Sequence, residues 1–147
     1  MNDNRRGGSN GIRDFGGKPL AIDMECATKS NNYYRTALWT GEHLQVTLMC
    51  IPVGGDIGAE VHCHTDQFLR IECGTALAVT GPCKNEMNCR RKVDSKCALI
   101  IPAGTWHNLI NIGNTPLKVY SIYAPPQHPF GTVECTKQDA QREEKQY

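Results

Sequence analysis

The feature that most limits how this chain can fold is its rhythm: short runs of alternating apolar and polar residues, closed by Gly-, Pro- or Asn-rich punctuation about every 8 to 12 residues. Tyr33 to Thr40 stops at Gly41. Leu44 to Ile51 puts Leu44, Val46, Leu48 and Cys50 on one face and Gln45, Thr47 and Met49 on the other, and Pro52-Val-Gly-Gly-Asp56 closes it. Further strands are predicted around Glu60 to His64, from Gln67 to Glu72 beyond a Thr65-Asp66 turn, over Thr75 to Thr80, Cys97 to Ile101 and Trp106 to Ile112, and over Leu117 to Tyr123 after the turn Gly113-Asn-Thr-Pro116. A chain made of such pieces is an all-β sandwich or barrel.

The 147 residues suffice for one domain with a real core and are too few for two ordinary ones. Residues 1–19 are rich in Gly, Asn and Arg without periodicity and read as a flexible arm, and 20–134 hold the domain. Within it, Leu20 to Cys26 is expected as a short strand and Pro82 to Lys96, densely charged, as an exposed loop or hairpin extension. Ala124-Pro-Pro-Gln-His-Pro129 must leave the sheet, because its prolines cannot join a central ladder. The tail 135–147 is polar, and Thr136 with Asp139 forms a capping-box pattern ahead of a short helix from Lys137 to about Glu144.

Sixteen Lys and Arg balance fifteen Asp and Glu, so the net charge of +1 gives no electrostatic reason to expect a nucleic acid or an anionic membrane as partner. No apolar h-region follows Met1, and no run approaches the roughly 18 apolar residues of a membrane helix. A soluble, cytoplasmic protein is the expectation. The eight cysteines form no Cys-x-x-Cys pair and are expected as reduced thiols, with Cys50, Cys63 and Cys73 acting as small strand hydrophobes.

Chemistry concentrates at three histidines. His62 and His64, two apart on a strand, would point the same way with Cβ atoms about 6 to 7 Å apart. His107 opens another alternating run, and three imidazoles with open positions make a site for one divalent transition metal ion: zinc, nickel, iron, manganese or copper. Glu60 shares the histidine face and is the candidate general base, so it is the catalytic residue expected here.

Pro102-x-Gly104-x2-His107-x3-Asn111 and His62-x-His64 closed by Gly74 resemble the two motifs of the cupins, the double-stranded β-helix or jelly-roll superfamily. The likeness covers roughly residues 33–124 and, with the proline-rich exit after the last strand, is similar to the small cupins likened to mannose-6-phosphate isomerase. It implies a jelly-roll barrel with a short C-terminal helix and the ligand set His62, His64, Gln67 and His107, with Gln67 standing where cupins carry glutamate; Asp66 or Glu60 are the alternatives for completing the shell. Leu48, Leu69, Ile71, Leu109 and Val119 would line the pocket, and His128 would close it as a lid.

Function follows in three versions: a metal-dependent, isomerase-like enzyme acting on a small polar or carbohydrate-type ligand; a non-catalytic module binding metal or small ligand; or an iron(II) or manganese dioxygenase. Cupins often pair through edge or exchanged strands, so a homodimer is expected, with Leu20 to Cys26 suited to the exchange.

Overall fold

A computed structural model describes residues 13–144. Two antiparallel sheets face each other: a larger one in the order β6-β3-β8-β2-β1-β9 and a smaller one in the order β5-β4-β7. The strands are β1 (Arg35–Thr40), β2 (Gln45–Ile51), β3 (Asp66–Cys73), β4 (Ala76–Gly81), β5 (Cys89–Val93), β6 (Ala98–Ile101), β7 (Trp106–Asn111), β8 (Leu117–Ala124) and β9 (Val133–Glu134). Helix α1 (Met24–Ser30) precedes them and α2 (Lys137–Glu144) follows. No helix among the described residues is long and apolar enough to cross a membrane. The all-β expectation holds, and the charged insertion is the hairpin extension, since β5 pairs with β4.

Leu20 to Cys26 forms no strand. Asp23 caps a helix instead, its carboxylate accepting from the Cys26 N–H at 2.9 Å. That helix changes which face of β2 is the inside. Leu48 packs with Ala27 and Leu38 between the sheet and α1, joined by Phe15, Met24, Val46 and Tyr120. The opposite face, Gln45, Thr47, Met49 and Ile51, is buried within the barrel. Of the N-terminal arm, residues 1–12 lie outside the described residues, whereas Asp14 accepts from Thr40 Oγ1 at 2.6 Å and from the Gly131 N–H at 2.9 Å, tying this part to the sheet.

The larger sheet stacks its inward residues in rows. Gln45 of β2 stands opposite Tyr123 of β8, which stands opposite Gln67 of β3; next come Thr47, Ser121 and Leu69, then Met49, Val119 and Ile71. The barrel is therefore polar at one end and apolar at the other. Ile51, Leu69, Ile71, Leu109, Leu117 and Val119, each no more than 1% exposed, form the main core.

Candidate metal centre

Residues 55–60 run beside β7 without becoming a regular strand. Ile57 donates to the Leu109 carbonyl at 3.1 Å, and Glu60 and His107 exchange both backbone hydrogen bonds at 3.0 and 2.9 Å. Gly58 lies between these contacts with φ of +85°, a conformation that interrupts the ladder and that side chains other than glycine rarely adopt. The pairing nevertheless sets Glu60 directly against His107.

The second motif holds the first in place. Pro102 to Thr105 turns sharply around Gly104, whose φ is +84°, and the Gly104 N–H donates to the His62 carbonyl at 2.8 Å. His107 Nδ1 lies 3.0 Å from the Thr105 carbonyl. A carbonyl only accepts, so Nδ1 carries a proton and Nε2 is the ring nitrogen turned to Glu60. Asn111 serves the backbone: its amide donates to the carbonyls of Ile51 and Thr115 at 3.1 and 2.9 Å.

Glu60, His62 and His107 bring one donor atom each within 4.8 Å of one another. Glu60 Oε1 is 3.4 Å from His107 Nε2 and 3.5 Å from His62 Nε2. Both separations are longer than a good hydrogen bond, and both imidazole Nε2 atoms are buried with no hydrogen-bond partner. Donors each about 2.0 to 2.1 Å from one tetrahedral ion stand about 3.3 Å apart. The group could hold a metal ion, and its unpartnered nitrogens are what an ion would satisfy. Burial alone would raise the Glu60 carboxyl, but His107, His62 and the Arg35 cation outweigh it and hold that carboxyl far below the usual carboxylate range.

The other expected ligands fare differently. His64 is exposed in a bend outside the cluster. Asp66 is exposed, and its carboxylate accepts from the Ala103 N–H at 2.8 Å. Gln67 is buried, and its Nε2 donates to Ser121 Oγ at 3.0 Å and Tyr123 OH at 3.3 Å, leaving Oε1 without a partner. Glu60, expected as a base, stands among the donor atoms themselves.

A cavity of about 450 Å³ opens beside the cluster, lined by Arg35, Glu60, His62, Gln127, His128, Pro129, Thr132, Glu134 and Glu143. None of Leu48, Leu69, Ile71, Leu109 and Val119 lines it. Leu48 faces α1, and the other four lie in the apolar core below. His128 is among the residues that line the cavity. The Gln45 side chain clamps its backbone, accepting from the His128 N–H and donating to its carbonyl, both at 2.9 Å. Its ring meets Tyr123 edge-on at 5.3 Å, and Tyr123 meets His62 likewise at 5.7 Å. Burial, reinforced by the Arg35 cation, lowers His128 to about 3 and keeps it neutral.

Arg35, Glu134 and Glu143, which also line the cavity, belong to no sequence motif. Arg35 Nη1 donates to Glu134 Oε1 at 2.6 Å in a pair that is nearly fully buried. Burial, together with the neighbouring Glu143 and against the pull of Arg35, raises Glu134 to about 7. The one sequence signal for these residues was the capping box that starts α2: Thr136 and Asp139 exchange hydrogen bonds at 3.2 Å, and Lys137 pairs with Asp56, so the helix stands where Glu143 reaches the cavity. Cys63 is exposed rather than a strand hydrophobe, and all eight cysteines are unpaired.

The cupin domain family matches residues 47–123. The chain is 57% identical over 129 residues to the uncharacterized protein YrkC of Bacillus subtilis (strain 168), a match covering 88% of this chain and 69% of that one. The crystal structure of BH2720 from Bacillus halodurans superposes with a TM-score of 0.88 at 53% identity, covering 89% of this chain and 99% of the other. KdgF from a Halomonas species, at 16% identity and a TM-score of 0.56 over 63% of this chain and 80% of its own, shares the fold. A double-sheet barrel carrying both histidine motifs, matched over more than half its length by this family, belongs to the cupins.

Proposed function

We propose that the protein is a metal-dependent enzyme that binds one divalent transition metal ion through His62, His107 and Glu60 and acts on a small polar molecule in the adjoining cavity. The observation that carries this reading is the pair of buried, unpartnered imidazole nitrogens facing one carboxylate oxygen. Leaving such groups without a partner costs about 1 to 3 kcal/mol each. A divalent ion repays that cost, and two imidazoles with a carboxylate suit zinc, iron, nickel or manganese better than magnesium.

Gln67 supports the same site. Its amide is committed to Ser121 and Tyr123, which leaves the carbonyl oxygen as the free, neutral donor on the barrel wall. Bound there, the metal would polarise a carbonyl or hydroxyl oxygen of the ligand. His128, held neutral by burial, lines the same cavity, and His107 and His62, with the Arg35 cation, keep Glu60 ionised. With Glu60 spent on the ion, proton transfer falls to another group of the cavity wall, which distinguishes this reading from one with Glu60 as base.

Elemental mass spectrometry of protein purified without chelator or affinity tag tests the reading. About one equivalent of transition metal is expected, retained in His64→Ala and lost in His62→Ala and His107→Ala. Failure to bind iron, nickel, zinc or manganese after reconstitution would leave a metal-free ligand-binding barrel.

A further inference from the structure

The two donor nitrogens, His62 Nε2 and His107 Nε2, are buried, and their side chains are nearly closed off from solvent. An ion, and a ligand after it, can reach such atoms only if part of the cavity wall moves. The pieces of that wall are held with very different strength.

Residues 127–129 are fastened by Gln45, whose Oε1 accepts from the N–H groups of Gln127 and His128 at 3.2 and 2.9 Å while its Nε2 donates to the His128 carbonyl. Thr132 donates to the Pro129 carbonyl through both its N–H and its hydroxyl, and its own carbonyl takes the Ala37 N–H at 2.8 Å. Glu134 sits on β9, which pairs with β1, and Glu60 exchanges backbone hydrogen bonds with His107. Glu143 comes from α2, which is attached otherwise. Among the described residues of α2, Ala140 alone is buried, so its apolar anchor is one methyl group seated in the main core. Its ionic anchor is the Lys137–Asp56 pair, with side chains 36% and 33% exposed, where water and salt screen the attraction. The cap made by Thr136 and Asp139 and the Arg142–Asp139 pair are internal to the helix and do not tie it to the barrel. Nor does a helix of 8 residues persist alone, since isolated helices shorter than about 12 to 15 residues are marginal in water. Of all the pieces of the wall, α2 is therefore the easiest to displace.

We propose that α2 is a flap forming one wall of the cavity: it swings away as a unit, breaking the Lys137–Asp56 pair and withdrawing Ala140 and Glu143 while both sheets stay folded, and the open form admits the metal ion and the ligand to Glu60, His62 and His107. What enters rests on the metal-enzyme reading; the opening itself does not. A flap changes the path to a site and not the site. A larger open population therefore speeds entry and departure of the ion by the same factor and leaves its affinity unchanged, as long as the closed form dominates. A helix that positioned the ligating side chains would change the affinity instead.

The test follows amide exchange by NMR, and zinc uptake and release by stopped-flow with a chromogenic chelator, in the full chain as wild type, Ala140→Gly and Lys137→Met. In metal-free wild type the amides of Gln141, Arg142 and Glu143 are expected to exchange about a hundredfold or more faster than those of β3 and β8, after correction for their intrinsic rates. Ala140→Gly removes the anchoring methyl and weakens the helix, and should raise α2 exchange, zinc uptake and zinc release each about tenfold with Kd unchanged. Lys137→Met should raise all three about threefold. Because Lys137 is half-exposed, that variant decides the matter if Ala140→Gly fails to fold. Protection of α2 equal to that of the barrel strands, zinc rates that stay fixed while α2 exchange quickens, or a Kd that shifts with the rates overturns the flap. A wild type that takes up no zinc overturns the metal reading instead, and amide exchange in that protein still decides whether α2 opens.

Discussion

The two ends of the barrel are built on the same strands and are held together by different physics. On β7, His107 and Leu109 lie on one buried face two residues apart; on β8, Tyr123 and Ser121 give way to Val119 and Leu117; on β3, Gln67 gives way to Leu69 and Ile71. At the apolar end every contact is satisfied by packing. At the polar end, buried atoms of His62, His107, Gln67, Arg35 and His128 have no protein partner. Because native folds pair nearly all buried polar groups, the five orphans gathered at this end, against Thr47 Oγ1 and Asn108 Oδ1 elsewhere among the described residues, suit it to something the chain itself does not contain.

The largest expected effect lies at the apolar end. Leu109→Ala should cost about 2 to 5 kcal/mol of unfolding free energy by leaving a cavity among Ile57, Ile71 and their neighbours. Added zinc should still raise its melting temperature, because His107 is untouched. Loss of that response in urea or thermal unfolding would mean the two ends are not separable. The next effect is the metal's own: zinc at about a hundred times its Kd should add about 2.7 kcal/mol to the wild type. In His107→Ala that increment should vanish. If the increment survives there, the ion is held elsewhere, with exposed His64 the first place to look.

The apolar end was legible in the sequence, because alternation is set by burial: Leu69, Ile71, Leu109 and Val119 were read as inward, and they are. What alternation could not supply was which face of β2 is inside. Both faces are buried, one by the barrel and one by α1, so alternation alone does not tell that Leu48 packs against the helix capped by Asp23. At the polar end, His62 and His107 came from motif spacing and meet at the cluster. His64 lies in a bend outside it, and two residues share a face only in an extended segment. Arg35, Glu134 and Glu143 come together only through the pairing of β9 with β1 and the docking of α2, contacts across about a hundred residues that no local pattern encodes.

Smaller effects sharpen the boundary between the ends. Ser121→Ala removes an acceptor of the Gln67 amide at 3.0 Å, in the row where the barrel changes from polar to apolar. It should cost about 1 kcal/mol in chemical denaturation. It should also loosen zinc several-fold, because the freed amide no longer fixes which atom of Gln67 faces the site; zinc affinity equal to wild type would remove Gln67 from the metal's surroundings.

The smallest effect is expected at α2, which touches both ends: Ala140 is 3% exposed in the core and Glu143 lines the cavity. Thr136→Ala deletes half of the reciprocal cap, in which Thr136 Oγ1 accepts from the Asp139 N–H. The loss should be at most about 1 kcal/mol and should fall on the first turn of the helix. Hydrogen exchange should therefore quicken in α2 while the amides of β3, β7 and β8 keep their protection, and zinc content should stay unchanged. Exchange that quickens in β7 as well would show that α2 supports the histidine scaffold; exchange confined to α2 would show that the helix forms only the ligand-facing wall of the polar end.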